Sequence, residues 1–362
     1  MKVAYNNTIF FTQKYGGISR YFCSILNQFI NDEKIIKVFS PVFKNRYLLN
    51  LPKQNIQGLY FPRYPTPIFF KSLIEYISHY QIKKSEYDLV HDTYYSKNIL
   101  NLKNKKKIVT VYDLIHEKFD SLYENNNLEI KKKIIKDADA IICISENTKK
   151  DLIEYYRTDE KKIYVTYLGH NHISKGALSI DTSKLNLPKN FIFFVGSRYR
   201  YKNFNLFLKS YSASKKIKKD FNIVCFGGEK LSGKEIIFFK ELGIDKNIFH
   251  LNGNDDLLSY LYTKAKLFVF PSQYEGFGIP LLEAMSVKCP VLASNTAIFK
   301  EICKDGVHYF QNNDQKNLTE KLEFLLYSDT SLSSKKDLAL SISKKYSWKK
   351  CAHETYEIYK KL

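Results

Sequence analysis

The chain has 362 residues, of which 44% are hydrophobic and 15% aromatic, and its 57 Lys and Arg against 37 Asp and Glu give a formal net charge of +20. This composition is typical of a folded globular enzyme, and the sequence lacks the run of about 18 apolar residues that a membrane-spanning helix needs. The positive charge indicates an anionic partner, namely nucleic acid, a nucleotide or anionic lipid.

The length favours two domains, each large enough for its own core. The six cysteines are scattered and form no C-x-x-C pair, which argues for reduced thiols and against a structural zinc site. The first residues are too polar for a secretory signal. Together these features predict a cytoplasmic protein.

The first half of the chain alternates short apolar segments with amphipathic ones. Such alternation predicts a parallel sheet covered by helices, the doubly wound α/β arrangement. Strands are expected at 2–5, 35–43, 56–61, 87–91, 108–114, 140–145 and 163–167, with a Pro-rich loop at 64–67.

Several residues of this half are candidates for ligand contacts. Gly16 and Gly17 open a predicted helix and allow a phosphate to approach the backbone, with Arg20 as an added charge. His91 ends a predicted strand, at the edge where ligands gather in open α/β sheets. Asp113 and His116 lie at the end of the strand predicted at 108–114.

Two charged motifs of the first half have structural interpretations. The basic run at 103–107 is typical of a solvated loop, with a membrane or polyphosphate contact as the alternative. Asp137 and Asp139 have the Asp-x-Asp spacing of some metal sites, but they directly precede a buried strand and are interpreted as a structural corner. No metal site is therefore predicted.

The segment 173–190 loses periodicity and gains Ser, Gly, Asp and Pro, which indicates a linker between domains. A continuous apolar strand follows at 191–195, typical of a buried parallel sheet. Arg198 and Lys202 come just after this strand. Both side chains suit phosphate oxygens, Arg as a fork of donors and Lys as a point charge.

The most informative stretch is FVFPSQYEGFGIPLLEAMS, residues 268–286. It predicts a buried strand, a glycine-containing loop and a helix whose first residue is Pro280. The N-terminus of such a helix favours an anion, typically a phosphate. Glu275 lies before the loop and Glu283 in the first helical turn, so that two carboxylates frame the site. This arrangement suits a ligand with hydroxyl groups on both sides of a diphosphate, such as a nucleotide sugar.

This stretch resembles the donor-site signature of the retaining GT-B glycosyltransferases of family 4, the glycogen-synthase-like group, in its bacterial surface-polysaccharide branch. The signature has two Glu separated by seven residues around a Gly-Phe-Gly-x-Pro core. The resemblance covers nearly the whole chain and is strongest at 191–306. It departs from the family pattern at Tyr112, where many members have His directly before the Asp.

The resemblance implies a GT-B fold, in which two Rossmann-like domains face a cleft and a C-terminal helix packs back on the first domain. We expect an acceptor-side domain at 1–172, the linker at 173–190, a nucleotide-sugar domain at 191–345 and the returning helix at 346–362.

The resemblance also implies roles for the candidate residues. Arg198 and Lys202 neutralise the donor diphosphate, Glu275 holds the transferred sugar and His116 contacts that sugar or the acceptor, while the leaving phosphate accepts the acceptor's proton. The donor-binding set is Glu283, Gly276, Phe277, Gly278, Ile279, Pro280, Gly16 and Gly17, and the acceptor-side set is Arg20, Asp113 and His91.

The predicted function is transfer of a sugar from a nucleoside-diphosphate sugar to a glycan or polyprenyl-diphosphate-linked acceptor in lipopolysaccharide or capsule synthesis, without metal or other cofactor. The expected location is the cytoplasm or the inner face of the cytoplasmic membrane, against an anionic surface. The alternatives are a noncatalytic nucleotide-sugar-binding protein, a phosphorylase, a nucleotide-sugar epimerase and a nucleic-acid-binding protein. The sequence shows no nucleic-acid-binding module, and no nucleic-acid partner is expected.

Overall fold

The structure is a computed structural model that describes residues 1–63, 68–119, 128–170 and 185–362. These residues form two compact units. Unit 1 consists of Met1–Gly169 together with Ser347–Leu362, and unit 2 consists of His170–Tyr346. The Pro-rich loop expected at 64–67 and most of the linker expected at 173–190 lie outside the described residues.

Unit 1 contains a parallel seven-stranded sheet whose strand order is β3-β2-β1-β4-β5-β6-β7. Its strands are β1 (Val3–Tyr5), β2 (Ile36–Phe43), β3 (Ile56–Tyr60), β4 (Leu89–Asp92), β5 (Lys106–Val111), β6 (Ala140–Cys143) and β7 (Ile163–Val165). Its helices up to residue 169 are α1 (Thr8–Thr12), α2 (Gly17–Asn31), α3 (Ile68–Lys84), α4 (Ile115–Lys118), α5 (Leu128–Asp137) and α6 (Glu146–Tyr156).

Unit 2 contains a parallel six-stranded sheet whose strand order is β10-β9-β8-β11-β12-β13. Its strands are β8 (Phe191–Val195), β9 (Asn222–Phe226), β10 (Ile248–Leu251), β11 (Leu267–Phe270), β12 (Val291–Ser294) and β13 (His308–Phe310). Its helices are α7 (Phe204–Ala213), α8 (Lys215–Asp220), α9 (Gly233–Glu241), α10 (Asp255–Lys264), α11 (Ile279–Ser286), α12 (Ala297–Cys303), α13 (Gln315–Leu326), α14 (Asp329–Ser333) and α15 (Lys336–Ser343). The predicted α/β class with two Rossmann-like parallel sheets is confirmed.

Burial explains why strands of unit 2 could be predicted from the sequence. All residues of β8, β11 and β12 are buried, as expected of a parallel sheet covered on both faces. Phe194 and Val269 belong to one hydrophobic cluster with Phe207 and Leu208 of α7. The helices therefore cover the sheet with their apolar faces, and polar groups concentrate at the strand ends.

The strand order places a topological switch point in each sheet. In unit 2 the chain moves outward from β8 through β9 to β10, and then returns to the other side of β8 as β11. In unit 1 the same reversal occurs between β1 and β4. In open α/β sheets ligands bind at the carboxyl ends of the strands beside such a point. We therefore expect a ligand site at the loops after β8 and β11.

The C-terminal helix α16 (Trp348–Lys360) packs on unit 1, as predicted. The Tyr359 hydroxyl lies 2.8 Å from the Tyr5 hydroxyl and 2.6 Å from His91 Nδ1, and all three side chains are fully buried. The other ring nitrogen of His91, Nε2, lies 2.8 Å from Thr110 Oγ1. This buried polar chain joins α16 to β1, β4 and β5.

Some elements differ from the prediction. Helix α1 and strand β13 were not predicted, because each is a short segment without a clear period. None of the helices in the described part of the chain has both the length and the apolarity to cross a membrane.

Candidate functional site

The loop between β8 and α7 carries the two cations that the sequence singled out. Gly196 has φ +109, a backbone conformation that favours glycine, so the chain turns sharply as it leaves β8. A short 3₁₀ helix, Arg200–Lys202, then leads to Asn203, which has φ +57 and precedes α7. This geometry places Arg198 and Lys202 at the carboxyl end of the central strand.

Arg198 is held by the neighbouring β9–α9 segment. Its Nε lies 2.6 Å from Glu235 Oε1, and its Nη2 donates to the Glu229 carbonyl oxygen at 2.7 Å. Its Nη1 lies 3.4 Å from the Gly227 carbonyl oxygen, and only 6% of the side chain is exposed. Arg198 is therefore a fixed cation whose position is set by the loop after β9.

The sequence analysis did not identify Glu235. The pattern that could have identified it is the Ser-x-x-Glu spacing of a capping box at a helix N-terminus. The Ser232 hydroxyl accepts from the Glu235 amide, and Glu235 Oε2 accepts from the Ser232 amide. Partial burial alone would raise the pKa of Glu235, but Arg198 and Ser232 hold it below its ordinary value. Glu235 is thus an ionised partner that orients Arg198 from the first turn of α9.

Gly228 shows how closely the loops after β8 and β9 approach each other. It has φ +71, and a Cβ at this position would lie 3.0 Å from the Gly196 carbonyl oxygen and 3.2 Å from Arg198 Nη1. A larger residue would therefore be strained and would also push against Arg198.

Lys202 and Glu275, which are 73 positions apart in the sequence, form an ion pair at the switch point. Lys202 Nζ lies 2.5 Å from Glu275 Oε1, and 16% and 13% of the two side chains are exposed. The backbone supports the pair, because the Gln273 amide donates to the Tyr201 carbonyl oxygen at 2.7 Å. The structure thus brings together the predicted cation of the β8 loop and the first predicted carboxylate of the β11 loop.

The loop at 276–280 leads into α11 as the sequence predicted. Gly278 is the N-cap, with φ +100, and a Cβ there would lie 3.1 Å from Leu281 Cδ1. Ile279, and not Pro280, is the first helical residue. The ring of Phe277 is buried and packs edge-to-face on Tyr346, with ring centroids 5.8 Å apart. Phe277 therefore contributes to the loop through packing, and only its backbone remains as a ligand contact.

Glu283 lies deeper in α11 than expected. It is the fifth residue of the helix and not part of the first turn. Its Oε2 accepts a hydrogen bond from the Tyr262 hydroxyl of α10 at 3.3 Å. Because Tyr262 is buried and the Glu283 side chain is only partly so, this contact fixes the carboxylate at one edge of the loop.

Two buried hydroxyl groups at the carboxyl ends of β11 and β12 were not anticipated. Ser272 follows β11 and Ser294 ends β12, and both residues are fully buried. Within the described chain their Oγ atoms have no hydrogen-bond partner. The sequence offered no signal for either of them, since serines at strand ends are common.

In unit 1, Gly16 and Gly17 lie at the N-terminus of α2, as predicted. The Gln13 side chain occupies part of this end, because its Oε1 accepts from the Ser19 amide at 3.3 Å. Arg20 Nη2 donates to the Tyr47 hydroxyl at 3.1 Å.

The structure contradicts the prediction that His91 contacts the acceptor. It is fully buried, both ring nitrogens have partners within unit 1, and burial lowers its pKa to about 3. It therefore cannot present a ring nitrogen to an acceptor. Asp113 and His116 do lie beyond the carboxyl end of β5, where Asp113 Oδ1 accepts from the Ile115 amide at 3.0 Å.

The switch point of unit 1 holds a buried polar cluster that the sequence did not reveal. Asp92 accepts from Asn6 Nδ2 at 2.5 Å and from the Ser96 amide at 3.0 Å. The Thr93 amide donates to Asn6 Oδ1 at 2.8 Å. Burial raises the pKa of Asp92 to about 7, against the opposing effect of these hydrogen bonds. The cluster fixes the ends of β1 and β4 relative to each other.

The Asp-x-Asp motif has structural partners. Asp137 pairs with Lys107 at 2.6 Å, and Asp139 pairs with Lys106 at 3.3 Å and accepts from the Lys107 amide. Throughout the described ranges, no group of three or more His, Cys, Asp or Glu side chains is arranged to hold a metal ion.

Two family models match the chain. "Glycosyltransferase Family 4" matches residues 15–172, and "Glycosyl transferases group 1" matches residues 179–340. The chain belongs to the family 4, group 1 glycosyltransferases. The family resemblance noted in the sequence is therefore confirmed.

Relatives in sequence carry similar descriptions. The O-antigen chain mannosyltransferase RfbU of Salmonella typhimurium is 30% identical over 190 residues, which are 51% of this chain and 50% of the relative. The O-antigen chain mannosyltransferase B of Escherichia coli is 37% identical over 108 residues, 30% of this chain and 28% of that protein. The chain thus matches half or less of the length of these two relatives.

Solved structures of other proteins have a similar fold. WaaG, described as a glycosyltransferase involved in lipopolysaccharide biosynthesis, has a TM-score of 0.75 at 16% identity, covering 98% of this chain and 99% of WaaG. Anabaena HepE in complex with UDP also has a TM-score of 0.75, at 15% identity, and the match covers 100% of both chains. At such low identity these matches establish the GT-B fold alone.

Proposed function

We propose that this protein is a retaining glycosyltransferase that uses a nucleoside-diphosphate sugar. The observation that carries the proposal is the Lys202–Glu275 pair beside Arg198 at the switch point of unit 2. Two cations and a carboxylate at the carboxyl ends of adjacent strands suit a diphosphate joined to a polyhydroxylated ring. We assign donor binding to the domain at 191–345 and acceptor binding to the domain at 1–172.

The donor diphosphate would lie against Arg198 and Lys202. As the bond between the anomeric carbon and the phosphate oxygen breaks, negative charge grows on the leaving nucleoside diphosphate. The two cations and the amides of the loop at 276–280 stabilise this charge, which is preorganised electrostatic stabilisation that replaces a metal ion.

The two glutamates hold the two ends of the donor. Glu283, oriented by Tyr262, accepts from the ribose hydroxyls, and Glu275 accepts from hydroxyls of the transferred sugar. Lys202 then exchanges part of its contact with Glu275 for the diphosphate. Glu275 is released to bind sugar only when the donor is present.

Transfer with retention follows from attack on the face that the diphosphate leaves. The acceptor hydroxyl oxygen forms the new bond to the anomeric carbon, and its proton passes to the departing phosphate oxygen. No protein side chain needs to act as nucleophile. His116, Asp113 and Arg20 are assigned to the transferred sugar and the acceptor, and Gly16 and Gly17 to donor binding.

The names of the relatives in sequence indicate which sugar and which acceptor to propose. Because those with the O-antigen descriptions are named mannosyltransferases, we propose mannose as the transferred sugar. A relative from Campylobacter jejuni, 25% identical over 158 residues, is named for a diphospho-undecaprenol-linked acceptor. We therefore propose a lipid-linked glycan of a bacterial surface polysaccharide as the acceptor, used at the inner face of the cytoplasmic membrane.

The test is a transfer assay with nucleoside-diphosphate mannose, supplied with either guanine or uracil as the base, and a polyprenyl-diphosphate-linked saccharide. We expect a mannosylated product whose new linkage has the anomeric configuration of the donor, as measured by the one-bond carbon–proton coupling in NMR. Inverted product would contradict the retaining mechanism. Hydrolysis or isomerisation of the donor without any dependence on an acceptor would favour the epimerase.

A further inference from the structure

A groove of about 850 Å³ lies on the surface of unit 1, between the second half of α3 and the segment that leads from β4 into β5. Four lysines line it, Lys83 and Lys84 from α3 and Lys103 and Lys105 from the opposite wall. Of the groove-lining residues in the described chain, none is an Asp or Glu. The groove therefore selects for an anion.

One of the four lysines has a structural role in the groove, and the other three can contact a ligand. Lys105 Nζ donates to the Ser85 and Tyr87 carbonyl oxygens at 2.9 and 2.6 Å, which ties the two walls together. Lys83, Lys84 and Lys103 are exposed, and none of the described carboxylates lies within ion-pair distance of them. Within the described ranges, no carboxylate pairs with their charge.

An exposed apolar stripe borders the lysines. Leu73, Tyr76 and Tyr80 of α3 are 42%, 61% and 52% exposed, and their spacing places them on one face of the helix. The opposite face is buried, with Ile74 and Ile82 in the interior of unit 1. Tyrosine beside lysine is the combination found where a helix lies in the interface of a bilayer.

The groove is distant from the predicted reaction site. Lys84 precedes β4 and Lys105 directly precedes β5, so the basic end lies at the amino ends of these strands. Asp113 and His116 follow β5 at its carboxyl end, and six strand residues span roughly 20 Å. A ligand in the groove would leave the reaction site open.

We infer that this groove and the stripe of Leu73, Tyr76 and Tyr80 dock the protein on an anionic lipid bilayer. The lysines contact lipid phosphates, and the stripe enters the interface. A nucleic acid fits less well, because Leu73 offers no stacking surface and the Tyr76 and Tyr80 rings already lie side by side, 24° from parallel with centroids 6.5 Å apart. The inference rests on the proposed function only in that a lipid-linked acceptor is met at a membrane.

The test is co-sedimentation of the full chain with vesicles of phosphatidylcholine alone or mixed with phosphatidylglycerol, at low and at high salt. We expect binding to the anionic vesicles that weakens with salt, because the Debye length shortens from about 10 Å at 0.1 M to about 3 Å at 1 M. Replacing Lys83, Lys84 and Lys103 by Gln should lower the partition coefficient roughly 100-fold, at about fivefold per lysine.

A matched control separates this surface from the overall charge. Lys215→Gln/Lys219→Gln/Lys240→Gln removes the same charge from exposed positions of unit 2, and we expect it to retain most of the binding. Tyr76→Ser/Tyr80→Ser should also weaken binding, but with little change in salt dependence. Melting temperatures would show that the variants are folded, which is expected since all these side chains are exposed.

Three results would overturn the inference. These are equal binding to neutral and anionic vesicles, an equal loss in the control variant, and displacement from vesicles by an RNA oligonucleotide bound through the same lysines. Nucleoside-diphosphate binding, followed separately by thermal shift, tests the proposed function. An intact donor site with no vesicle binding would remove only the docking surface.

Discussion

Lys202 and Glu275 form a direct ion pair between the two loops of the proposed donor site. If Glu275 holds the transferred sugar, Glu275→Gln should lower kcat/KM about 100-fold, a loss of roughly 2.7 kcal/mol in transition-state stabilisation. The affinity for the free nucleoside diphosphate should stay the same or rise, because a negative charge near the phosphates is removed. Kinetics with the sugar donor and calorimetry with the diphosphate measure the two effects.

The control for this variant is Glu229→Gln, which removes an exposed carboxylate from the loop after β9. It should leave both quantities unchanged. A large fall in diphosphate affinity in Glu275→Gln, with kcat preserved, would show that Glu275 acts on the nucleotide and not on the sugar.

Glu235 provides a second residue-scale prediction, because it orients Arg198 without reaching a ligand itself in our proposal. Glu235→Gln should weaken nucleoside-diphosphate binding about tenfold, the loss of one charge-assisted hydrogen bond. Ser232→Ala removes the helix cap but leaves the Glu235–Arg198 pair, so it should cost about 1 kcal/mol of stability with little change in affinity. Calorimetry and thermal unfolding distinguish the two variants, and equal affinities for wild type and Glu235→Gln would contradict the positioning role.

Single residues also show which parts of the candidate site could be predicted from the sequence alone. Glu275, Lys202 and the glycine loop were predictable because each follows a clear apolar strand. The places of Glu235, Ser272 and Ser294 were not, since they depend on which loops become neighbours in the sheet. His91 was misjudged, because a histidine at a strand end resembles a ligand contact until the helix that covers it is known.

At the scale of elements, α16 is attached to unit 1 through a buried hydroxyl group. Tyr359→Phe removes the partner of both Tyr5 and His91 and should lower the free energy of unfolding by about 2 kcal/mol. Tyr356→Phe is the matched control on the same helix, at a position that is only partly buried, and it should change stability little. Denaturant unfolding measures the stability of both variants. Equal losses would show that the buried hydrogen bonds of Tyr359 do not stabilise the protein.

The same buried hydrogen bonds predict that the stability of the protein depends on pH. Burial lowers the pKa of His91 to about 3, below the unfolded value of about 6.5, so only the unfolded state takes up a proton between these values. The stability that neutral His91 provides is therefore present above pH 6.5 and is lost as the pH falls toward 3. From pH 7 to pH 5 the loss is roughly 2 kcal/mol.

The measurement is the difference in unfolding free energy between wild type and His91→Gln, followed from pH 7 to pH 5. This difference should shift by about 2 kcal/mol against the wild type. Burial raises the pKa of Tyr359 and Tyr5, so neither titrates in this range. The neighbouring Asp92 titrates near neutrality with the opposite sign, but it is common to both proteins. A difference that is independent of pH would contradict the assignment.

Most elements were predictable because parallel strands are buried on both faces and form short apolar runs. Strand β8 has the predicted boundaries. Helix α1 was not predictable, since its five residues are held by burial and not by their own periodicity. Glu283 was placed one position too early in the helix, because the sequence marks Pro280 as the helix start whereas Ile279 already belongs to α11.

At the scale of the whole molecule, the charge of +20 is shared by both halves, since residues 1–180 hold 28 basic against 18 acidic residues. Charge alone did not distinguish a nucleotide from a nucleic acid or a membrane. The structure separates two basic regions, the loop after β8 in unit 2 and the groove beside α3 in unit 1. Each can be tested without the other, which the composition did not allow.

The most direct test of the donor site is a thermal-shift measurement with UDP, GDP, ADP, CMP and dTDP on wild type and on Arg198→Ala/Lys202→Ala. Arg200→Ala/Lys209→Ala serves as the control with the same loss of charge. At 100 times its Kd, one nucleotide should stabilise the wild type and the control by roughly 2.7 kcal/mol and leave the Arg198/Lys202 variant unchanged. Stabilisation of all three proteins alike, or of none by any nucleotide, would contradict a donor site at the switch point of unit 2.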